Sequence, residues 1–166
     1  MKSFLAILLL AALAVADNNS IFDDNKAYNI RSKKSGLYLT PASVHSDQSN
    51  ILQFAKAHND NLQKVYIKQK NGANNKYYIH SYANPGNVYD ITGGVNTNGA
   101  ALQIYPKHGG NNQLFEITQN ADFSFTIKAV GSGKVLDVNG GSVLNGAQVI
   151  QYDAANSDNQ KFFIDF

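Results

Sequence analysis

Asn98–Ile117 reads NGAALQIYPKHGGNNQLFEI, and 47 residues further on Asn145–Ile164 reads NGAQVIQYDAANSDNQKFFI. The two stretches align without a gap, matching at Asn98/Asn145, Gly99/Gly146, Ala100/Ala147, Tyr105/Tyr152, Asn112/Asn159, Gln113/Gln160, Phe115/Phe162 and Ile117/Ile164. A shift of 50 residues in the other direction brings Leu52, Gln53, His58, Asn61, Gln63 and Ile67 onto Leu102, Gln103, His108, Asn111, Gln113 and Ile117. Self-similarity three times at a period near 50 means three copies of one supersecondary unit, none able to bury its apolar face alone.

Each copy holds four short apolar or alternating runs: YNIR (28–31), LYLT (37–40), ILQF (51–54) and VYIK (65–68) in the first. The second has YYIH (77–80), VYDI (88–91), LQIY (102–105) and FEIT (115–118); the third has FTIK (125–128), VLDV (135–138), VIQY (149–152) and FFIDF (162–166). Runs this short, rich in Val, Ile, Tyr and Phe and separated by turn residues, predict β-strands. No segment sustains a helical period. Ser35-Gly36, Pro85-Gly86 and Ser132-Gly133 stand at the same place in each copy and predict tight turns between first and second strands. The joints fall at 71–75 and 119–122. Twelve strands in three units predict an all-β domain with pseudo-threefold symmetry, in which a closed six-stranded barrel capped by hairpins leaves no free strand edge.

Residues 1–16 run from Met1 and Lys2 through an apolar stretch to Ala14-Val15-Ala16, the pattern of a secretory signal peptide cleaved after Ala16. The apolar run is too short to span a bilayer, which needs about 20 residues, and no later segment predicts a membrane crossing. The expected product is exported and extracellular. Residues 17–25 are polar and predict a loose leader, containing one glycosylation sequon at Asn18. One domain is expected over 26–166, with repeats at about 26–72, 73–120 and 121–166. A chain of this length can bury a core without staples, in keeping with its lack of cysteine. The formal net charge is only +2, of which Lys2 supplies one, and Lys33-Lys34 is the only adjacent basic pair beyond the leader. That pair reads as a solvated loop, and nucleic acid is excluded as a partner.

With these residues set out, the chain resembles the ricin-type β-trefoil lectins, whose threefold repeat ends in Gln-x-Trp. Gln63-Lys64-Val65, Gln113-Leu114-Phe115 and Gln160-Lys161-Phe162 occupy those positions, with Phe twice and Val once in place of the tryptophan. The resemblance covers residues 26–166 and implies a β-trefoil. A sugar ring offers adjacent hydroxyls and an apolar C–H face, so its pocket needs a carboxylate, an amide and an aromatic ring. Repeat 2 supplies Asp90, Tyr105 and Asn112, with Gln103 at the rim; repeat 3 supplies Asp137, Tyr152 and Asn159, with Ile150 at the rim. The resemblance implies that each Asp takes the 3- and 4-hydroxyls of galactose or N-acetylgalactosamine. It also implies that the aromatic stacks under the ring, that the Asn bonds the 3-hydroxyl, and that Gln113 and Gln160 steady the carboxylates. His108 is placed to reach one further hydroxyl.

In the gapless register the first repeat carries Thr40, Ala55 and Leu62 at these positions, and so predicts a structural unit without a site. Each residue also has a purely structural use. Gln113, Gln160, Phe115 and Phe162 serve strand ends and core, Asp90 and Asp137 could cap turns, and Asn98-Gly99 and Asn145-Gly146 are turns. The joint recurrence of Asp, Tyr and Asn in two repeats, and their joint loss in the third, favours the sugar reading. No metal or cofactor is expected: His45, His58, His80 and His108 are scattered and form no metal-binding pair. No nucleophile motif is present, and two carboxylates in separate repeats cannot form a glycosidase pair, which needs a spacing of roughly 5–10 Å. The expected partners are glycans of glycoproteins or glycolipids, with no membrane insertion; a homodimer is compatible with the sequence. The competing expectation is a trefoil that inhibits proteases or binds other proteins through its loops.

Overall fold

Alternate residues of a strand face opposite sides, so the apolar member of each alternation decides what turns inward. In the computed structural model, which describes residues 20–43 and 46–166, the pattern yields twelve strands where the apolar runs predicted them. They are β1 (Ala27–Ser32), β2 (Tyr38–Pro41), β3 (Ser49–Phe54), β4 (Lys64–Gln69), β5 (Lys76–Ser81), β6 (Asn87–Ile91), β7 (Leu102–Pro106), β8 (Phe115–Gln119), β9 (Phe125–Ala129), β10 (Val135–Val138), β11 (Val149–Tyr152) and β12 (Phe162–Asp165). The expected signal peptide, Asn18 of the sequon and His45 lie outside the described residues.

Six strands close a ring by antiparallel pairing, in the order β1–β4–β5–β8–β9–β12 and back to β1. The hairpins β2–β3, β6–β7 and β10–β11 close one end. They meet through β3–β7 pairing and through the bridges Leu52↔Gln148 and Ala101↔Ile150. This is the β-trefoil. Its interior is made of matched threes: Ile30/Ile79/Ile127, Ile67/Ile117/Ile164 and Val65/Phe115/Phe162, every one buried. Phe115 and Phe162 therefore pack where the family's tryptophan would stand, as core residues.

The stretch 20–25 departs from the expected loose leader. Phe22 is 6% exposed, and its ring meets those of Tyr28, Tyr77 and Phe125 at 5.5, 5.3 and 5.9 Å. Those three rings sit at the same place in β1, β5 and β9, so one phenylalanine plugs the barrel end away from the hairpins. A single apolar residue in a polar segment carries no periodicity, which is why the sequence did not reveal it. The turns also differ. Gly36 and Gly133 adopt φ of +74° and +73° and donate to Ser32 O and Ala129 O. Gly86 stays outside the left-handed region: counted between paired residues, His80 to Val88 spans one residue more than Arg31 to Tyr38 or Lys128 to Val135, and this turn closes through Asn87 N–H to Asn84 O (2.9 Å).

Candidate functional site

Hairpin register decides which side chains meet. In β6–β7, Asp90 stands opposite Gln103 and Val88 opposite Tyr105; in β10–β11, Asp137 stands opposite Ile150 and Val135 opposite Tyr152. In β2–β3 the equivalent pairs are Thr40 opposite Leu52 and Tyr38 opposite Phe54. The aromatic of the first repeat is therefore Phe54, where the gapless alignment gave Ala55, and the rim residue is Leu52 where it gave Gln53. The cause is one extra residue between Phe54 and Gln63, which the four-residue 3₁₀ turn Asp60–Gln63 absorbs; its counterparts have three. The same insertion shifts His58, since Ala57 makes the bond to Gln63 that His108 makes to Gln113. What the first repeat lacks is the carboxylate and the amide, not the ring.

The three glutamines of the repeat motif do one job three times. Gln63, Gln113 and Gln160 are buried, and each Nε2 donates to the side chain of Thr40, Asp90 or Asp137 at 3.1, 3.0 and 2.9 Å. Each also donates to a backbone carbonyl just past the aromatic: Ala55, Pro106 or Asp153. Each Oε1 accepts a backbone N–H from the following loop, at Ala57, His108 or Ala155. A buried amide with all its groups satisfied fixes the loop that follows the hairpin, whether or not a site stands above it.

In repeat 2, Asp90, Gln103, Tyr105, His108 and Asn112 line one hollow of about 420 Å³ together with Gly93, Gly94 and Gln48. Gln113 lies behind it. Asp90 is 2% exposed and is held by amides: Gln103 Nε2 to Oδ1 (3.0 Å), and Asn112 Nδ2 (2.9 Å) and Gln113 Nε2 (3.0 Å) to Oδ2. Gly110 N–H donates to His108 Nδ1 (3.2 Å), leaving Nε2 as the end of the ring that faces Asp90 Oδ2 at 3.4 Å. The imidazole stands edge-on to Tyr105, with centroids 6.0 Å apart. Ring, carboxylate, amide and imidazole thus converge on one opening.

In repeat 3, Asp137, Ile150, Tyr152 and Asn159 line a separate hollow of about 410 Å³ with Asn139, Gly140, Gly141 and Lys34. Gln160 again lies behind. Asp137 accepts from Gln160 (2.9 Å); Asn159 Nδ2 donates to Val138 O (3.3 Å) and also lies near enough to Asp137 to favour its charged form. Ile150 offers no donor where Gln103 stands in repeat 2. Burial pushes the Asp137 carboxyl above the usual carboxylate range, while Gln160, Asn159 and the charge of Lys34 pull it back. Tyr152 is 44% exposed at the edge of this hollow. Among the described residues, no group of three His, Asp or Glu side chains is set to hold a metal ion.

The sequence matches the family described as ricin-type beta-trefoil lectin domain-like over residues 20–105, 61–152 and 111–165, overlapping windows that together cover the three repeats. The chain belongs to that family. Among solved structures, it is similar to the designed threefold-symmetric protein ThreeFoil (TM-score 0.79, 26% identity, 84% of this chain and 98% of that one). It is also similar to the ricin B-like lectin of Macrolepiota procera, solved in complex with lactose (TM-score 0.72, 18% identity, 86% and 96% of the two chains). An exo-beta-1,3-galactanase from Clostridium thermocellum aligns as well (TM-score 0.78, 24% identity), covering 87% of this chain but 31% of that one. A comparison with curated protein sequences found no match.

Within the ricin-type frame, three features escaped the sequence reading. Gly93-Gly94 and Gly140-Gly141 all lie at φ between 61° and 69°, a run of left-handed residues that only glycine adopts readily. They line the hollows, and their signal was present as Asp-x-x-Gly-Gly in repeats 2 and 3, against Thr40-Pro41-Ala42-Ser43-Val44 in repeat 1. Asn98 and Asn145 are more than turn residues: their Oδ1 atoms accept from Asp153 N–H (3.0 Å) and Ala55 N–H (2.9 Å), each in the neighbouring repeat. Gln53 and Gln151 complete those clasps by donating to Ser142 O and Leu144 O, and to Val95 O and Thr97 O. In repeat 2 the corresponding residues are Ile104 and Pro106, which have no such groups; strand pairing of β3 with β7 closes that seam instead. Lysine 34 is the third feature, because it reaches a repeat other than its own.

Proposed function

We propose that this protein is a secreted lectin that binds galactose-type sugars, galactose or N-acetylgalactosamine, without metal, through one shallow site in repeat 2 and another in repeat 3. The observation that carries the reading is the double convergence of Asp, Tyr and Asn on an open hollow, set against a repeat that keeps the scaffold but has Thr40 and Leu62 instead. An ionised carboxylate accepts two hydroxyl hydrogens, the amide exchanges a further bond, and the tyrosine covers the C–H face of the ring. The lactose complex of a ricin B-like lectin with the same fold supports the sugar class. Few polar contacts compete with water in each site, so single-site binding is weak, and two sites on one rigid body gain avidity on a glycan-covered surface. The signal-peptide pattern of residues 1–16 supports export.

Isothermal titration of the mature protein with galactose, N-acetylgalactosamine and lactose, with and without chelator, tests the reading. Saturable heat with two sites per chain, unaffected by chelator, is expected. No saturation at millimolar sugar would overturn it, and inhibition of proteases without any glycan signal would point to the loops instead.

A further inference from the structure

Lys33 and Lys34 sit in the β1–β2 turn of repeat 1, yet both act on repeat 3. Lys33 N–H donates to Lys161 O (2.9 Å), and its ammonium pairs with Asp122 (2.8 Å) and Asp158 (2.7 Å). These bonds pin the turn against repeat 3, although Lys34 itself stays exposed, as the reading of a solvated loop expected. Lys34 then points into the hollow that holds Asp137, Tyr152 and Asn159. Its Nζ lies over Gly141, 2.7 Å from where a Cβ on that glycine would be. Among the described residues, no carboxylate comes within the 4.0 Å of an ion pair with it. The residue at the same position in the β9–β10 turn is Gly131, which packs on the Asn111 backbone of repeat 2 and offers no side chain to the hollow there. The lining of one hollow thus includes a lysine ammonium and that of the other does not.

We propose that the repeat 3 site takes a galactose-type glycan bearing an anionic group, a sulfate ester or a sialic-type carboxylate on or next to the ring, and that Lys34 contacts that group. The inference rests on the carbohydrate reading above. Asp137 accepts ring hydroxyls, and a second negative charge would be repelled from that end of the hollow. The ammonium attracts it at the other end. A neutral hydroxyl could be met by an amide, as Gln103 is placed to do in repeat 2, without ordering a long flexible chain. The anion is the group for which a positive charge gives an advantage. Because the contact is exposed, the gain is modest, about fivefold in affinity, and it shrinks as salt screens the pair.

The test is a two-dimensional NMR titration of the ¹⁵N-labelled protein, reading the Gly140 and Gly141 amides for repeat 3 and the Gly93 and Gly94 amides for repeat 2. The ligands are galactose against galactose 6-sulfate, and lactose against 3′-sialyllactose, at low and high salt. At the repeat 3 glycines an anionic ligand is expected to bind about fivefold tighter than its neutral counterpart, with no such preference at the repeat 2 glycines. A preference for one anionic ligand alone assigns the source of the charge. Lys34→Met abolishes the ratio between anionic and neutral ligands, and Lys34→Arg retains it. Equal affinities at Gly140 and Gly141, or a ratio that survives Lys34→Met, overturn the proposal. Neutral sugars that move neither glycine pair would instead sink the carbohydrate reading itself, which keeps the two failures apart.

Discussion

The hollows of repeats 2 and 3 are built from the same Asp, Tyr and Asn, yet they hold their carboxylates in different ways. Asp90 is fastened by three amides and faced by an imidazole, whereas Asp137 has one short bond, an apolar neighbour in Ile150 and a lysine lent by repeat 1. The difference shows that a repeated motif fixes the position of a charged group but not its environment. Environment comes from the residue across the hairpin and from the loop of the adjoining repeat, and these vary without disturbing the fold.

The largest expected effect is in stability. Asp90→Ala leaves the amides of Gln103, Asn112 and Gln113 without their acceptor in a buried place, at a cost of about 2–3 kcal/mol. Asp137→Ala leaves chiefly one donor unpaired and removes a carboxylate whose burial was unfavourable, so it costs about 1 kcal/mol or less. Chemical denaturation checks the order, and each variant should also lose one of two sites in a sugar titration. Equal losses of stability would remove the contrast between the two hollows.

The second effect is on pH. Asp137 must be ionised to accept two hydroxyls, and its pKa is raised by burial above the ordinary value of 3.8. Sugar binding at repeat 3 should therefore fade at a pH above that value as acid is added. Folding responds with the opposite sign. A raised pKa means the folded state holds this proton more tightly, so the group's contribution to stability grows as pH falls from above its folded value to below 3.8. NMR titrations at several pH values, read at Gly140 and Gly141, would show the loss; binding at repeat 3 that persists down to pH 3.8 would contradict it.

Third, a Cβ at Gly110 would meet Asn112 Oδ1 at 2.6 Å and His108 Cε1 at 2.7 Å. Gly110→Ala should displace two residues of the repeat 2 hollow and weaken its sugar binding by about 1 kcal/mol, leaving repeat 3 as it was. The smallest effect belongs to the repeat without a site. Thr40→Ala removes the 3.1 Å bond from Gln63, costs about 0.5–1 kcal/mol in a melting experiment, and leaves both sites occupied at full stoichiometry.

Much of this was legible along the chain because it depends on local alternation. Period-2 runs gave all twelve strands, and the recurring Gln-x-Phe or Gln-x-Val gave the phase of the three units. Spacing also brought Asp90 to Tyr105 and Asn112, since hairpin partners are near in sequence. The register of repeat 1 was misread because a one-residue insertion in a 3₁₀ turn is invisible when matches resume on either side of it. Phe22 was missed because one plug residue makes no pattern.

The amino-acid sequence alone determined three β units, their closure into one barrel, and a polar set present in two units and lost in the third. Only the tertiary structure decided what surrounds each carboxylate. Lys34 and Asp137 are about a hundred residues apart, and no local rule of propensity or period links residues at that separation. Their meeting depends on the ring of strands closing β12 onto β1, which sets the first turn of the domain over the last hairpin.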